Sequence, residues 1–144
     1  MHAIVQIAEM QKAVGQAAIL LSGDRGYFDA ELGAVLPRII IAAQAQQILF
    51  AVDTEKRLVT GFAAFAFLTH DVSFRWRHRL ITPGPGDINA GNNCWLTDYV
   101  WSDSKQGSLL INGARERWPD KTKSVLRHNF APTYPEHPIV TAGE

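Results

Sequence analysis

The chain has 144 residues, 47% of them hydrophobic and 19% charged, which fits one globular domain with a sizeable core. Basic and acidic side chains balance at 14 each, so bulk charge does not point to nucleic acid. A single cysteine, Cys94, excludes an internal disulfide and a cysteine-rich metal site and fits a reducing cytoplasm. No apolar run approaches the ~20 residues that span a bilayer; the longest, 61–68, has strand length. Met1-His2-Ala3 leads to Glu9 and Lys12, without the basic start and apolar core of a secretory signal, so a cytoplasmic location is expected.

In chain order, residues 8–21 are rich in Ala, Leu and Gln and predict a first helix ending near Ser22-Gly23. Residues 24–28 read as a loop, after which Asp29 caps a second helix with Glu31 in its first turn. Pro37 is expected to break or kink that helix, or to start a new one at Arg38. Ile39, Ile40, Ile41, Ala42 and Ala43 make an apolar patch that demands burial. Residues 47–52 and 58–68 read as two strands of a hairpin joined by the turn 53–57. From Val72 onward Val72, Phe74 and Trp76 alternate with Ser73, Arg75, Arg77 and Arg79, and this period of two predicts a third strand with one basic face. Pro83-Gly-Pro-Gly86 ends it.

Next comes Gly91-Asn-Asn-Cys94-Trp95-Leu-Thr-Asp98-Tyr99-Val-Trp101, a turn followed by a strand that holds one acid in an apolar and aromatic run. A carboxylate there must be hydrogen-bonded or paired. Asp98 is therefore either a functional group or a carboxylate satisfied by a backbone amide or an arginine. A helix starting at Ser104 or Gln106 runs to Trp118, weakened by Gly107 and Gly113 and stopped by Pro119-Asp120. Residues 124–127 suggest a last short strand. One domain is thus expected over 1–132, with 133–144 an irregular tail holding two of the prolines.

This succession predicts an α+β single domain with a central, mostly antiparallel sheet flanked by helices. The order resembles the N-acetyltransferase superfamily fold. Several segments together resemble the toxin-activating lysine acyltransferases, the family that activates RTX haemolysins, over about residues 15–132. The residues that carry the likeness are Gly15 to Ser22, Val35-Leu36-Pro37, Gln47 (or Gln44), and the strand Gly61-Phe-Ala-Ala-Phe-Ala-Phe-Leu68-Thr69. They continue in Gly91, Trp95, Asp98 and Tyr99, and then in Gly107, Leu109 and Trp118-Pro119-Asp120. Their order and spacing, more than any one of them, is specific.

The resemblance implies transfer of a fatty acyl group from acyl carrier protein to the ε-amino group of lysines on a partner protein of the RTX-toxin type. No bound cofactor or metal is implied; the acyl-acyl carrier protein is the donor. The family's active site pairs an aspartate, carried over to Asp98, with a histidine whose position falls here on Asp24; no histidine occurs between His2 and His70. Deprotonating a lysine of ordinary pKa ~10.4 suits a near-neutral base. Two neighbouring carboxylates, Asp24 and Asp98, can supply one if mutual repulsion raises a pKa.

Arg75, Arg77 and Arg79 form a docking stripe suited to an acidic carrier, and Ser22, Arg25 and Trp95 complete the expected carrier- or substrate-binding set. His70, His78, His128 and Cys94 are weaker candidates, Cys94 reading better as a small buried filler. Arg115, Arg117, Lys121 and Lys123 form a second basic region. A Gly-rich loop for a pyrophosphate is not evident around 102–107, which disfavours acetyl-CoA chemistry. The alternative to an enzyme is a family member that has lost turnover and acts as an acyl-carrier or partner-binding module. The resemblance and the apolar surface available point to a homodimer.

Overall fold

The sheet forms where β-branched and aromatic residues cluster between turn signals, and the helices supply the layers that cover it. The computed structural model describes residues 2–23, 32–78, 80–121, 128–130 and 138–140. Four antiparallel strands lie in the order β1-β2-β3-β4, with β1 His2–Val5, β2 Ile48–Asp53, β3 Leu58–Leu68 and β4 Asn93–Val100. The helices are α1 Met10–Gly23, α2 Leu32–Gln44, α3 His70–Arg77 and α4 Ser104–Arg117, with one 3-10 turn at Pro85–Asp87. The domain is α+β, built on one hydrophobic core cluster. A separate two-stranded pair, β5 His128–Phe130 and β6 Pro138–Val140, packs near β4. No described helix is long and apolar enough to cross a membrane.

The N-terminal strand was not anticipated: four residues carry too little pattern, and β1 owes its order to pairing with β2, from His2↔Asp53 to Val5↔Phe50. Helix α1 buries Ala13, Ala17 and Leu21 at a spacing of four. Helix α2 buries Val35, Arg38, Ile39, Ala42 and Ala43, a stripe of positions three, four, seven and eight apart. Pro37 does not end this helix, contrary to expectation; α2 runs through it to Gln44. Burial of Val35, Arg38 and Ile39 on either side opposes the loss of the proline's one backbone hydrogen bond. The helix closes on backbone bonds from Gln46 to Ala43 and from Gln47 to Ala42, with Gln46 at φ 58°.

Asp53 opens the β2–β3 turn, its carboxylate accepting from the backbone N–H of Glu55 (3.0 Å) and Lys56 (3.1 Å). Residues 61–68 of β3 are buried throughout, as a central strand covered on both faces requires. Alternation then sorts their side chains. Phe65 and Phe67 meet Trp118 edge-on at 5.4 and 5.2 Å, at the end of α4, while Phe62, Ala64, Ala66 and Leu68 face the opposite side, towards α2.

The segment after Thr69 is the main departure. It is not a strand but helix α3, with Thr69 as N-cap accepting from Val72 N–H at 3.3 Å. Alternation over so few residues also satisfies a helix: Ser73 and Trp76, three apart, are its buried pair, and Val72 is half-buried. The late helix is as expected, capped by Asp103, which accepts from Gln106 N–H at 2.8 Å. Its glycines sit where the packing leaves no room for a Cβ. A Cβ on Gly107 would lie 2.6 Å from the Trp101 indole, and one on Gly113 would lie 2.9 Å from Ile4. The strand expected over 124–127 lies outside the described residues, and β6 falls within the stretch expected to be irregular.

Candidate functional site

Strand β4 places the site. Its register against β3 runs Ala66↔Trp95, Phe65↔Leu96 and then Ala64↔Asp98, so Thr97 is an extra residue, a β-bulge. In an unbroken strand Trp95 and Asp98, three apart, would point to opposite faces. The bulge turns both to the face of Ala64 and Ala66, and Thr97 ties it down by donating from its hydroxyl to the Ala64 carbonyl at 3.1 Å.

On that face Asp98, fully buried, meets Arg38 of α2. The guanidinium donates from Nη2 to Oδ1 at 2.8 Å and from Nε to Oδ2 at 3.0 Å, a bidentate pair with both partners at least 95% buried. Of the two alternatives open for Asp98, the arginine-satisfied carboxylate is therefore present. Its ionised form is neutralised by a cation at hydrogen-bond distance. Arg38 had not been singled out, yet the signal existed: an arginine inside the apolar run 35–43 is the complement of an acid inside an apolar strand.

Beside the ion pair lies an aromatic layer. Trp95 is buried, donates from Nε1 to the Ser73 hydroxyl at 3.1 Å and packs on Trp76 at 5.1 Å between ring centroids. The Arg77 guanidinium lies 5.8 Å from the Trp95 ring centroid, linking the surface of α3 to β4. Gln47 is also buried. It donates both amide protons, to the carbonyls of Phe65 and Ile88 at 3.0 Å each, which bind the start of β2 to β3 and to the segment before β4. Gln47 Oε1 and Trp76 Nε1 are buried and find no hydrogen-bond partner among the described residues.

The remaining candidates are dispersed. Ser22 is exposed in the last turn of α1, its hydroxyl donating to the Ile19 carbonyl at 2.7 Å. Arg75 is exposed and pairs with Asp71 one turn earlier at 3.4 Å. Because α3 is a helix, Arg75 and Arg77 do not share a row of side chains as the strand reading required. Asp24, Arg25 and Arg79 lie outside the described residues. Cys94 is buried, and its pairing with Phe67 puts it on the α4 face, away from Asp98. His70 begins α3, exposed, and His78 follows it, stacked on Phe74 at 4.4 Å. Among the described residues no group of three or more His, Cys, Asp or Glu side chains is placed to hold a metal ion.

These features define an α+β domain whose candidate site is a buried arginine–aspartate pair beside stacked tryptophans. No protein-family model matches the chain, and no curated protein is significantly similar to it.

Proposed function

We propose that this chain is a toxin-activating-type acyltransferase domain on an N-acetyltransferase-like fold. It moves a fatty acyl group from acyl carrier protein to the ε-amino group of lysines on a partner protein of the RTX-toxin type. In that step the lysine nitrogen attacks the thioester carbonyl, the C–N bond forms as the C–S bond breaks, and the thiol leaves on the carrier. The ammonium proton goes to a base. The observation that carries the reading is the bulge at Thr97, which brings Trp95 and Asp98 of the family-like block onto one face. There Asp98 grips the helix directly following the 24–31 segment, where the family's histidine position falls. Bulges recur beside active sites because they re-aim side chains in this way.

Within this reading Asp98 is a positioning residue. Its carboxylate holds Arg38, and through it α2, against β4; buried and paired, it is not the group that takes the lysine proton.

The same ion pair favours a second reading, a carrier- or partner-binding module without turnover. A shared-proton pair of acids needs two unneutralised charges, and Arg38 already compensates that of Asp98. The deciding experiment incubates the protein with a long-chain acyl-acyl carrier protein and proteins encoded beside its gene, followed by intact-mass spectrometry. An acyl mass on an acceptor lysine establishes the enzyme; stable carrier binding without transfer establishes the module. Under the second reading Asp24→His raises transfer from baseline, whereas a paired-acid enzyme loses activity on the same change.

A further inference from the structure

We infer that the outer face of α3 is the surface on which the acidic carrier docks, with Phe74 beside Arg77 as its central contact; this rests on the acyl-transfer reading above. The helix rearranges what a strand would have separated. At 100° per residue, Arg77, His70, Phe74, His78, Asp71 and Arg75 follow one another around the exposed arc, and Ser73 and Trp76 occupy the buried one. Phe74 is 56% exposed and stacks on His78, and Leu80 just beyond the helix is 67% exposed. Two of the five large hydrophobic side chains exposed among the described residues thus fall within seven residues of one another.

The charge of this face is local, because the whole chain is neutral. Asp71 is engaged by Arg75, and Arg77 makes no ion pair among the described residues. A positive face with an exposed aromatic at its centre complements an acidic helical partner that offers an apolar contact; aromatic and arginine side chains are the ones that dominate such interfaces. Arg77 also touches the Trp95 ring, so a partner engaging it bears on the strand that carries Asp98.

The test measures binding of a palmitoyl-acyl carrier protein by titration calorimetry at low and moderate salt. Phe74→Ala and Arg77→Glu are each expected to weaken binding roughly tenfold or more. Arg75→Glu weakens it less, because Asp71 already engages that side chain, and Arg115→Glu on α4 leaves it unchanged. All four positions are at or near the surface, and circular dichroism checks that the fold persists. Three outcomes overturn the inference: wild-type affinity in Phe74→Ala and Arg77→Glu, loss in Arg115→Glu instead, or binding of anionic phosphatidylglycerol vesicles through these residues with none to the carrier. Carrier binding and lysine acylation that survive Phe74→Ala and Arg77→Glu refute only the docking face. No carrier binding by the wild type refutes the acyl-transfer reading as well.

Discussion

Removing one member of the Arg38–Asp98 pair tests the account of the site most directly. Both side chains have left water, and the free energy lost by each is offset by two short charge-assisted hydrogen bonds. Replacing Asp98 with leucine takes both of these charge-assisted bonds from the buried guanidinium, and Arg38→Met takes the same two from the buried carboxylate. Breaking a buried pair in this way costs about 3–5 kcal/mol, against a total stability of ~5–15 kcal/mol for a domain. At ~2–4 °C per kcal/mol for a chain of this size, each single variant melts roughly 6–20 °C lower. The double variant Arg38→Met/Asp98→Leu exchanges two ions for apolar groups of similar volume, and is expected within ~1 kcal/mol of wild type or above it.

Urea unfolding followed by tryptophan fluorescence measures all four corners of the cycle. The signature is a coupling far above the ~0.5 kcal/mol within which distant sites add. Singles costing under about 1 kcal/mol, or a double equal to the sum of its singles, would show that the pair does not hold α2 to β4. The cycle also separates stability from chemistry. Under the proposed acyl-transfer reading, a stable double variant that still acylates lysine makes Asp98 dispensable, and a stable inert one makes the pair necessary for transfer.

Other consequences are simpler. Gln46 ends α2 at φ 58° with an exposed side chain, so Gln46→Gly should stabilise by about 1 kcal/mol in a thermal melt, removing left-handed strain while keeping the backbone acceptor used by Gln6. Gly107→Ala sets a helix-propensity gain of about 1 kcal/mol against a Cβ 2.6 Å from the Trp101 ring; the clash, about 1–3 kcal/mol, wins and the melting temperature falls. Trp76→Phe should destabilise less than Trp95→Phe in urea, because the Trp76 N–H has no partner among the described residues whereas that of Trp95 is bonded to Ser73. The backbone N–H of Lys56, with that of Glu55, holds the Asp53 carboxyl below the usual aspartate range and outweighs the desolvation that opposes it. Carboxyl-carbon NMR should find its midpoint there. Because the folded value is depressed, its stabilisation is full above the unfolded value and lost as pH falls through the folded one; a midpoint at or above the ordinary value contradicts this turn geometry.

Much of the scaffold was legible because its signals were redundant. The β2–β3 hairpin had two apolar runs around a charged turn, and α4 had its stop marked by Pro119-Asp120. The strand around Asp98 was marked by its aromatics and the preceding glycine and asparagines. Where a single kind of signal was available, it misled. Helix α3 covers eight residues, too few for a period of two to be told from a period of 3.6, and its Thr69 cap was the discriminating cue. Strand β1 is specified by its partner more than by its own residues. Pro37 was weighed as a local breaker, but burial on both sides of it decided the outcome.

The ion pair shows why a site can be half legible. An acid in an apolar strand and an arginine in an apolar helix are each costly alone, so each is a reason to look for the other. Sixty residues separate them, and no local pattern links the two. What joins them is the extra residue at Thr97. Were β4 to pair without the bulge, Asp98 would fall opposite Ala63, on the face of Phe65, Phe67 and Trp118, and would lose its contact with Arg38. Deleting Thr97 closes the bulge with Trp95 still opposite Ala66 and Asp98 still opposite Ala64, so it should cost less than either single ion-pair variant. A Thr97→Val variant, which keeps the residue and removes only the hydroxyl bond to Ala64, should cost about 1 kcal/mol. A deletion as damaging as Asp98→Leu would show that the ion pair depends on the local bend of the bulge as well as on the face it selects.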